Sequence, residues 1–306
     1  MLLLLAGLCG RAAGTNYVAE LGAFFKETDA TYPFFDLKGI RPDWEQTKPR
    51  LMARAESCGS DTEFLGLVVE SICCLRDAHM GLNNLKAPGP PLPARYYPGL
   101  SFMPATKGRV AVMAAGSEYG GKIQRGTVIT KIDGKPARLV LEELAKTAWA
   151  CDGPYFVSSP QRARLFTYRL PLAGKRNESH VLHYLADGAE QELKVTRHWE
   201  ARGWPHTYNL PAGLKRANGS FAYAELASGA GYMYLRHVRP ETVTGMREAM
   251  QSVPGAKGWV VDLRGNGGGG YDQELIEQIK ALPRPVVVLI DAGCISAGET
   301  LARDLV

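Results

Sequence analysis

The sequence predicts an α/β protein built around a parallel core sheet in its last third. Three observations predict it. Residues 203–306 alternate near-continuous apolar strands with helical stretches, the pattern of βαβ units. Residues 15–92 carry apolar side chains at three- and four-residue spacing, which marks a helical domain. Residues 93–202 carry short apolar runs split by glycine turns, which marks an inserted β-rich module.

The elements follow in chain order. "YVAELGAFFKETDATYPFF" and "DTEFLGLVVESICCLRDA" read as amphipathic helices, the second with Asp61 or Thr62 as N-cap. "KAPGPPLP" (86–93) ends the helices and marks a boundary. "GRVAVMAAG" is strand-like, and Asp133-Gly134 in "GGKIQRGTVITKIDGKPA" is a tight-turn signal between two strands. "ARLVLEELAKTAW" is a short helix, and "HVLHYLADGAEQELKVTRH" is a hairpin around Asp187-Gly188. A loop containing "GWPHTYNLPAGLKRANG" leads into the core: "GAGYMYLRHV" strand, "PETVTGMREAMQSV" helix, "KGWVVDLRG" strand, "YDQELIEQIKAL" helix, "RPVVVLIDAG" strand and "SAGETLARDLV" helix. Pro240 suits the first turn of its helix.

The totals narrow the function. A net charge of +5 is spread along the chain with no basic block or interleaved aromatics, so nucleic acid is not an expected partner. No apolar run reaches the ~20 residues of a membrane span. "MLLLLAGLCGRAAG" has a short apolar stretch and small residues near Gly14, the outline of a secretory signal over residues 1–14 that lacks a basic start. None of Cys9, Cys58, Cys73, Cys74, Cys151 and Cys294 has zinc-ligand spacing. Cys73 and Cys74 lie in an apolar helical run, where at least one serves as a small core residue. His180, His183, His198, His206 and His237 carry no local signature, and no metal is expected.

Three stretches can carry chemistry. Ser296 lies between a buried strand and a helix, at the carboxyl edge of a parallel sheet, where α/β proteins bind ligands. Alone it reads as a helix cap, with Glu299 completing an S-x-x-E capping box. "DLRGNGGGG" (262–270) places four consecutive glycines after a buried strand. Glycines at that point let the backbone turn sharply and aim N–H groups into a cavity. A phosphate loop would end in G-K-[ST], and this one runs into "YDQE". "CLRDAHMGL" places His79 just past a helix. Histidine is the usual base for a serine nucleophile, though a lone histidine is more often structural.

Together "VVDLRGNGGG" and "PVVVLIDAGCISAGE" resemble the core of the S41 serine peptidases, the tail-specific or C-terminal processing proteases. "YPFF", Trp44 and "LRDAHMGL" resemble the tricorn-like branch, and "GGKIQRGTVITKIDGKPA" is similar to a PDZ-like domain with Thr127 in place of an acidic residue. The resemblance implies a ClpP/crotonase-like ββα core with an N-terminal helical domain and an inserted PDZ-like domain. It implies a catalytic Ser296 with His79 as base, and an oxyanion hole from the backbone N–H groups of Ala297 and of Gly267 or Gly268. It implies a carboxylate-binding loop at Tyr97, Pro98, Gly99 and Leu100. The implied reaction is cleavage of a polypeptide substrate, without metal or organic cofactor, in a periplasmic or secreted setting; peripheral membrane proximity and oligomeric state stay open. Two departures stand out. Ala78 replaces the serine that precedes the histidine in the tricorn-like branch, and the family's downstream lysine or glutamate falls beyond Val306. The chain is therefore expected to be a fragment with an incomplete core. From another class, a non-catalytic protein binding peptides or hydrophobic ligands shares the fold; a crotonase-type hydratase shares the core but needs no PDZ-like module.

Overall fold

The computed structural model describes residues 16–80, 96–150, 157–200, 208–270 and 273–305. The signal-like segment and His206 lie outside the described residues. The chain divides into two compact units, Met1–Pro205 and His206–Val306.

The first unit opens with helices α1 (Tyr17–Thr31), α2 (Phe35–Lys38), α3 (Arg41–Ala55) and α4 (Asp61–Cys74). Asn16 caps α1, its side chain accepting the Ala19 amide at 3.1 Å. The cap of α4 is Ser60, which accepts the Glu63 amide at 3.3 Å; Asp61 and Thr62 fall inside the helix. The apolar stripes close on Phe25, Phe35, Trp44, Leu51, Phe64 and Ile72. Cys73 and Cys74 are both buried in these helices, and Cys74 is disulfide-bonded.

The rest of this unit is antiparallel. Strands β1 (Tyr96–Tyr97), β2 (Leu100–Pro104), β3 (Val110–Ala115), β4 (Val128–Ile132) and β5 (Lys135–Pro136) lead to helices α5 (Ala137–Trp149) and α6 (Pro160–Arg169). Strands β6 (Ser179–Ala186), β7 (Ala189–Thr196) and β8 (Trp199–Glu200) follow. The larger sheet runs β2-β3-β4-β6-β7, with β5 on β4; β1 pairs β8 separately. Both predicted turns form. Asp133-Gly134 joins β4 to β5 and Asp187-Gly188 joins β6 to β7, with positive φ at all four residues, as a two-residue hairpin turn needs.

The second unit holds β9 (Lys215–Arg216), β10 (Phe221–Glu225), β11 (Gly231–Leu235), α7 (Pro240–Ser252), β12 (Trp259–Asp262), α8 (Gln273–Lys280), β13 (Val286–Leu289) and α9 (Ala297–Asp304). Its sheet runs β13-β12-β11-β10-β9. β11, β12 and β13 are parallel, as predicted. β10 is an addition: it pairs antiparallel with β11, Phe221 opposite Leu235. The helices bury Val243, Met246, Leu275, Ile279 and Leu301 against Met233, Leu235, Val261 and Leu263. β13 is the edge strand, and Val287 and Ile290 are 50% and 61% exposed there. "RPVVVLIDAG" is thus less buried than its β-branched run predicts.

Candidate active site

All three parallel strands deliver their carboxyl ends to one edge of the sheet. β11 delivers Arg236 and His237, β12 the glycine loop 263–270, and β13 the turn 290–296 that enters α9. This edge is where open α/β sheets place their ligands.

Ser296 stands at the entry to α9 with φ 56° and ψ −129°. A non-glycine residue at positive φ costs on the order of 1–3 kcal/mol and needs over-determined surroundings. The capping box supplies part of that: the Ser296 amide donates to Glu299 Oε2 at 2.9 Å. A cap bond uses a serine oxygen as acceptor and leaves its proton for a base, so capping and attack are compatible. Cys294 is no competitor, because burial, with Glu299 and Asp291 adding to it, pushes its thiol up to about 12.

The glycine loop lies directly against this serine. Gly268 has φ +76°, and a Cβ there would stand 2.6 Å from Ser296 Cβ, 2.9 Å from Ile295 O and 3.0 Å from Ala297 N. Only glycine permits so close an approach. Five side chains register the loop. Asp262 is fully buried and accepts both Arg264 Nε (2.9 Å to Oδ1) and Tyr232 Oη (2.5 Å to Oδ2). The bond to Asp262 raises the Arg264 pKa, and burial followed by Asp262 raises that of Tyr232. Asp291 Oδ1 accepts the amides of Gly265 and Gly293, each at 2.9 Å, tying the two loops together. Asn266 is also fully buried. Its Nδ2 donates to Leu235 O at 2.9 Å, and its backbone carbonyl accepts the Ile295 amide at 2.9 Å.

The predicted oxyanion donors are not equivalent. The Ala297 amide has no acceptor among the described residues. The Gly267 amide, however, donates to Arg236 O at 2.9 Å, and the Gly268 amide to Asn266 Oδ1 at 2.8 Å. The glycine loop is here a stapled turn rather than a row of free donors.

His79 belongs to the first unit, on a turn after α4. Its side chain is 62% exposed, with Nδ1 3.6 Å from Asp77 Oδ1. The same carboxylate oxygen accepts the His79 amide at 3.0 Å. Asp77 was not singled out in the sequence, although the D-x-H spacing was visible. It is anchored behind the turn by Tyr32 Oη (2.9 Å) and Lys38 Nζ (3.2 Å). Burial alone would raise its carboxyl; the His79 amide, Lys38 and Tyr32 outweigh that and hold it below the usual range. Where the tricorn-like pattern has serine, the Ala78 amide donates to Ser158 Oγ at 2.9 Å.

The expected carboxylate-binding residues Tyr97, Pro98, Gly99 and Leu100 lie where β1 passes into β2. Tyr97 lies in β1 opposite Trp199, Gly99 O accepts the Gly116 amide at 3.0 Å, and Tyr119 Oη donates to Pro98 O. Leu100 is fully buried. A Cβ on Gly99 would stand 2.5 Å from Glu118 Oε1, which accepts Trp199 Nε1 at 2.6 Å. The same Glu118 oxygen lies 3.5 Å from His198 Nε2.

No family model and no curated protein matches the chain. Among solved structures, a crystal structure of a cpaf mutant matches at TM-score 0.56 and 14% identity. The chain shares the cpaf fold. The match covers 85% of this chain and 57% of that one, so this chain spans little more than half of the cpaf structure. A crystal structure of the tricorn protease aligns with 94% of this chain and 28% of that one, at 13% identity and TM-score 0.34. The photosystem II D1 C-terminal processing protease aligns with 95% and 79%, at 16% identity and TM-score 0.35. The last two scores are too low to carry an argument about fold. Among the described residues no group of His, Cys, Asp or Glu is placed to hold a metal, and no helix is long and apolar enough to cross a membrane.

Proposed function

We propose that the protein is a serine peptidase acting on polypeptides. The observation that carries the reading is the strained strand-to-helix turn that presents Ser296 against Gly268, beside an amide of Ala297 that no group among the described residues accepts. Ser296 Oγ attacks the scissile carbonyl carbon, and His79 takes the hydroxyl proton. His79 then protonates the leaving amine as the C–N bond breaks, and water hydrolyses the acyl-enzyme by the same route. Asp77 orients the His79 imidazole, the part a carboxylate plays in a triad. Ala297 supplies one oxyanion donor, worth ~3–4 kcal/mol in k cat terms. Gly268 supplies a second when the oxyanion replaces Asn266 Oδ1 as its acceptor. The second unit is read as a ClpP/crotonase-like core and the antiparallel sheet of the first as a PDZ-like module. A disulfide at Cys74 supports a periplasmic or secreted setting, where such bonds persist.

The engaged Gly267 and Gly268 amides favour a second reading, a peptide- or hydrophobic-ligand-binding protein without catalysis. Fluorophosphonate labelling separates the two. A peptidase labels at Ser296, and both Ser296→Ala and His79→Ala abolish the label. A folded protein that takes no label is a binder, and the nucleophile assignment falls. Retained hydrolysis in His79→Ala would remove the histidine from its role.

A further inference from the structure

The carboxyl end of β11 carries three basic side chains that the proposed chemistry does not use. Gly267 and Gly269 are exposed while Gly268 is buried against Ser296. His237 and Arg239 line the loop at those exposed glycines. A Cβ on Gly267 would stand 3.2 Å from His237 Nδ1, and one on Gly269 would stand 3.4 Å from Arg239 Cγ. Arg239 has one weak counter-charge, Glu241 at 3.9 Å. Arg236 is half-buried, and no carboxylate lies within salt-bridge distance of it among the described residues. Withdrawing a cation from water without a counter-ion is costly, so an unpaired, half-buried guanidinium at a ligand-binding edge is a reason to look for an anion. Burial, then Arg239 and Arg236, holds the His237 pKa below its ordinary value. The imidazole is a hydrogen-bonding group beside two cations.

We propose that Arg236, His237 and Arg239 form a subsite for a carboxylate of the polypeptide substrate, an acidic side chain or a free C-terminus. This rests on the peptidase reading of Ser296 and adds a substrate preference to it. Geometry sets the position. Gly268 stands against Ser296, and its carbonyl accepts the Val238 amide at 2.9 Å, so Arg236, His237 and Arg239 flank the residue that is bonded to the loop meeting the serine. An extended peptide advances about 3.3–3.6 Å per residue, so a carboxylate held there lies within a few residues of the scissile bond.

The test uses quenched peptides of one parent sequence, with Asp, Asn or Lys placed in turn at the second to fourth positions on either side of the scissile bond. Each is made with a free and with an amidated C-terminus. The wild-type protein should prefer Asp over Asn about 10-fold in kcat/KM at one position, the scale of a partly exposed charge-assisted hydrogen bond. Arg236→Gln with Arg239→Gln should bring that ratio to about 1, and Arg236→Glu with Arg239→Glu should invert it toward Lys. A preference that survives amidation identifies an acidic side chain as the source; one that appears only with a free terminus identifies the terminal carboxylate. Binding of the same peptides to Ser296→Ala, read by fluorescence anisotropy, reports the same ratios without chemistry. Equal affinities and equal rates for Asp, Asn and Lys at every position overturn the subsite while leaving Ser296-dependent cleavage standing. Charge-dependent binding without cleavage would retain the anion site and overturn only the peptidase reading beneath it.

Discussion

Replacing Gly268 with alanine is the sharpest probe of the site. The new Cβ would lie 2.6 Å from Ser296 Cβ and 2.9 Å from Ile295 O. Carbon atoms pack at about 3.5–4.0 Å, so the overlap with Ser296 is about 1 Å. Neither neighbour is the free end of a long side chain, so the backbone must give. Overpacking of this kind costs about 1–3 kcal/mol, and alanine at φ +76° adds about 1–3 kcal/mol of backbone strain. The sum is about 2–6 kcal/mol of stability. If the turn yields instead, Ser296 moves by about 1 Å, and a displacement of that size costs roughly 100-fold in rate. Urea unfolding and the rate of fluorophosphonate labelling read the two outcomes. Gly270→Ala is the control, because nothing lies within 4 Å of its Cβ position and it needs no positive φ. A Gly268→Ala protein with the wild-type urea midpoint and labelling rate would refute the close approach of loop and serine.

Two further predictions rest on buried polar groups. Asn266→Ala orphans Leu235 O and the Gly268 amide, at about 1–3 kcal/mol each; urea unfolding should show a loss of about 2–6 kcal/mol with little change in slope. Asp77 has a folded pKa depressed below 3.8, so its contribution is present above about pH 4 and fades as pH falls through the folded value. Asp77→Asn should therefore lower the urea midpoint at pH 7 and converge on wild type near pH 2; an equal deficit at both pH values would contradict the charged network with Lys38 and Tyr32.

Local signals made much of the molecule legible. The βα alternation, the Asp133-Gly134 and Asp187-Gly188 turns and the capping box at Ser296 all depend on residues a few positions apart. β10 has no assignment in the sequence reading because "FAYAE" is short, although its partner strand follows after only a few residues. The N-cap of α4 fell one residue earlier than predicted, since Ser60, Asp61 and Thr62 are all good caps and only backbone geometry chooses among them.

The sequence by itself determined where the chemistry could lie: a serine at a strand-to-helix turn, a glycine loop on the neighbouring strand and a histidine after a helix. Tertiary structure alone decided which groups are available for it. The Gly267 and Gly268 amides are engaged by Arg236 O and Asn266 Oδ1, the Glu118 carboxylate lies against Gly99, and Asp77 stands beside His79 through Lys38 and Tyr32. The physical reason is that a hydrogen bond saturates its donor. Whether an amide is free depends on an acceptor that can come from a strand 31 residues away, as Arg236 does for Gly267, and residue patterns carry spacing but not occupancy.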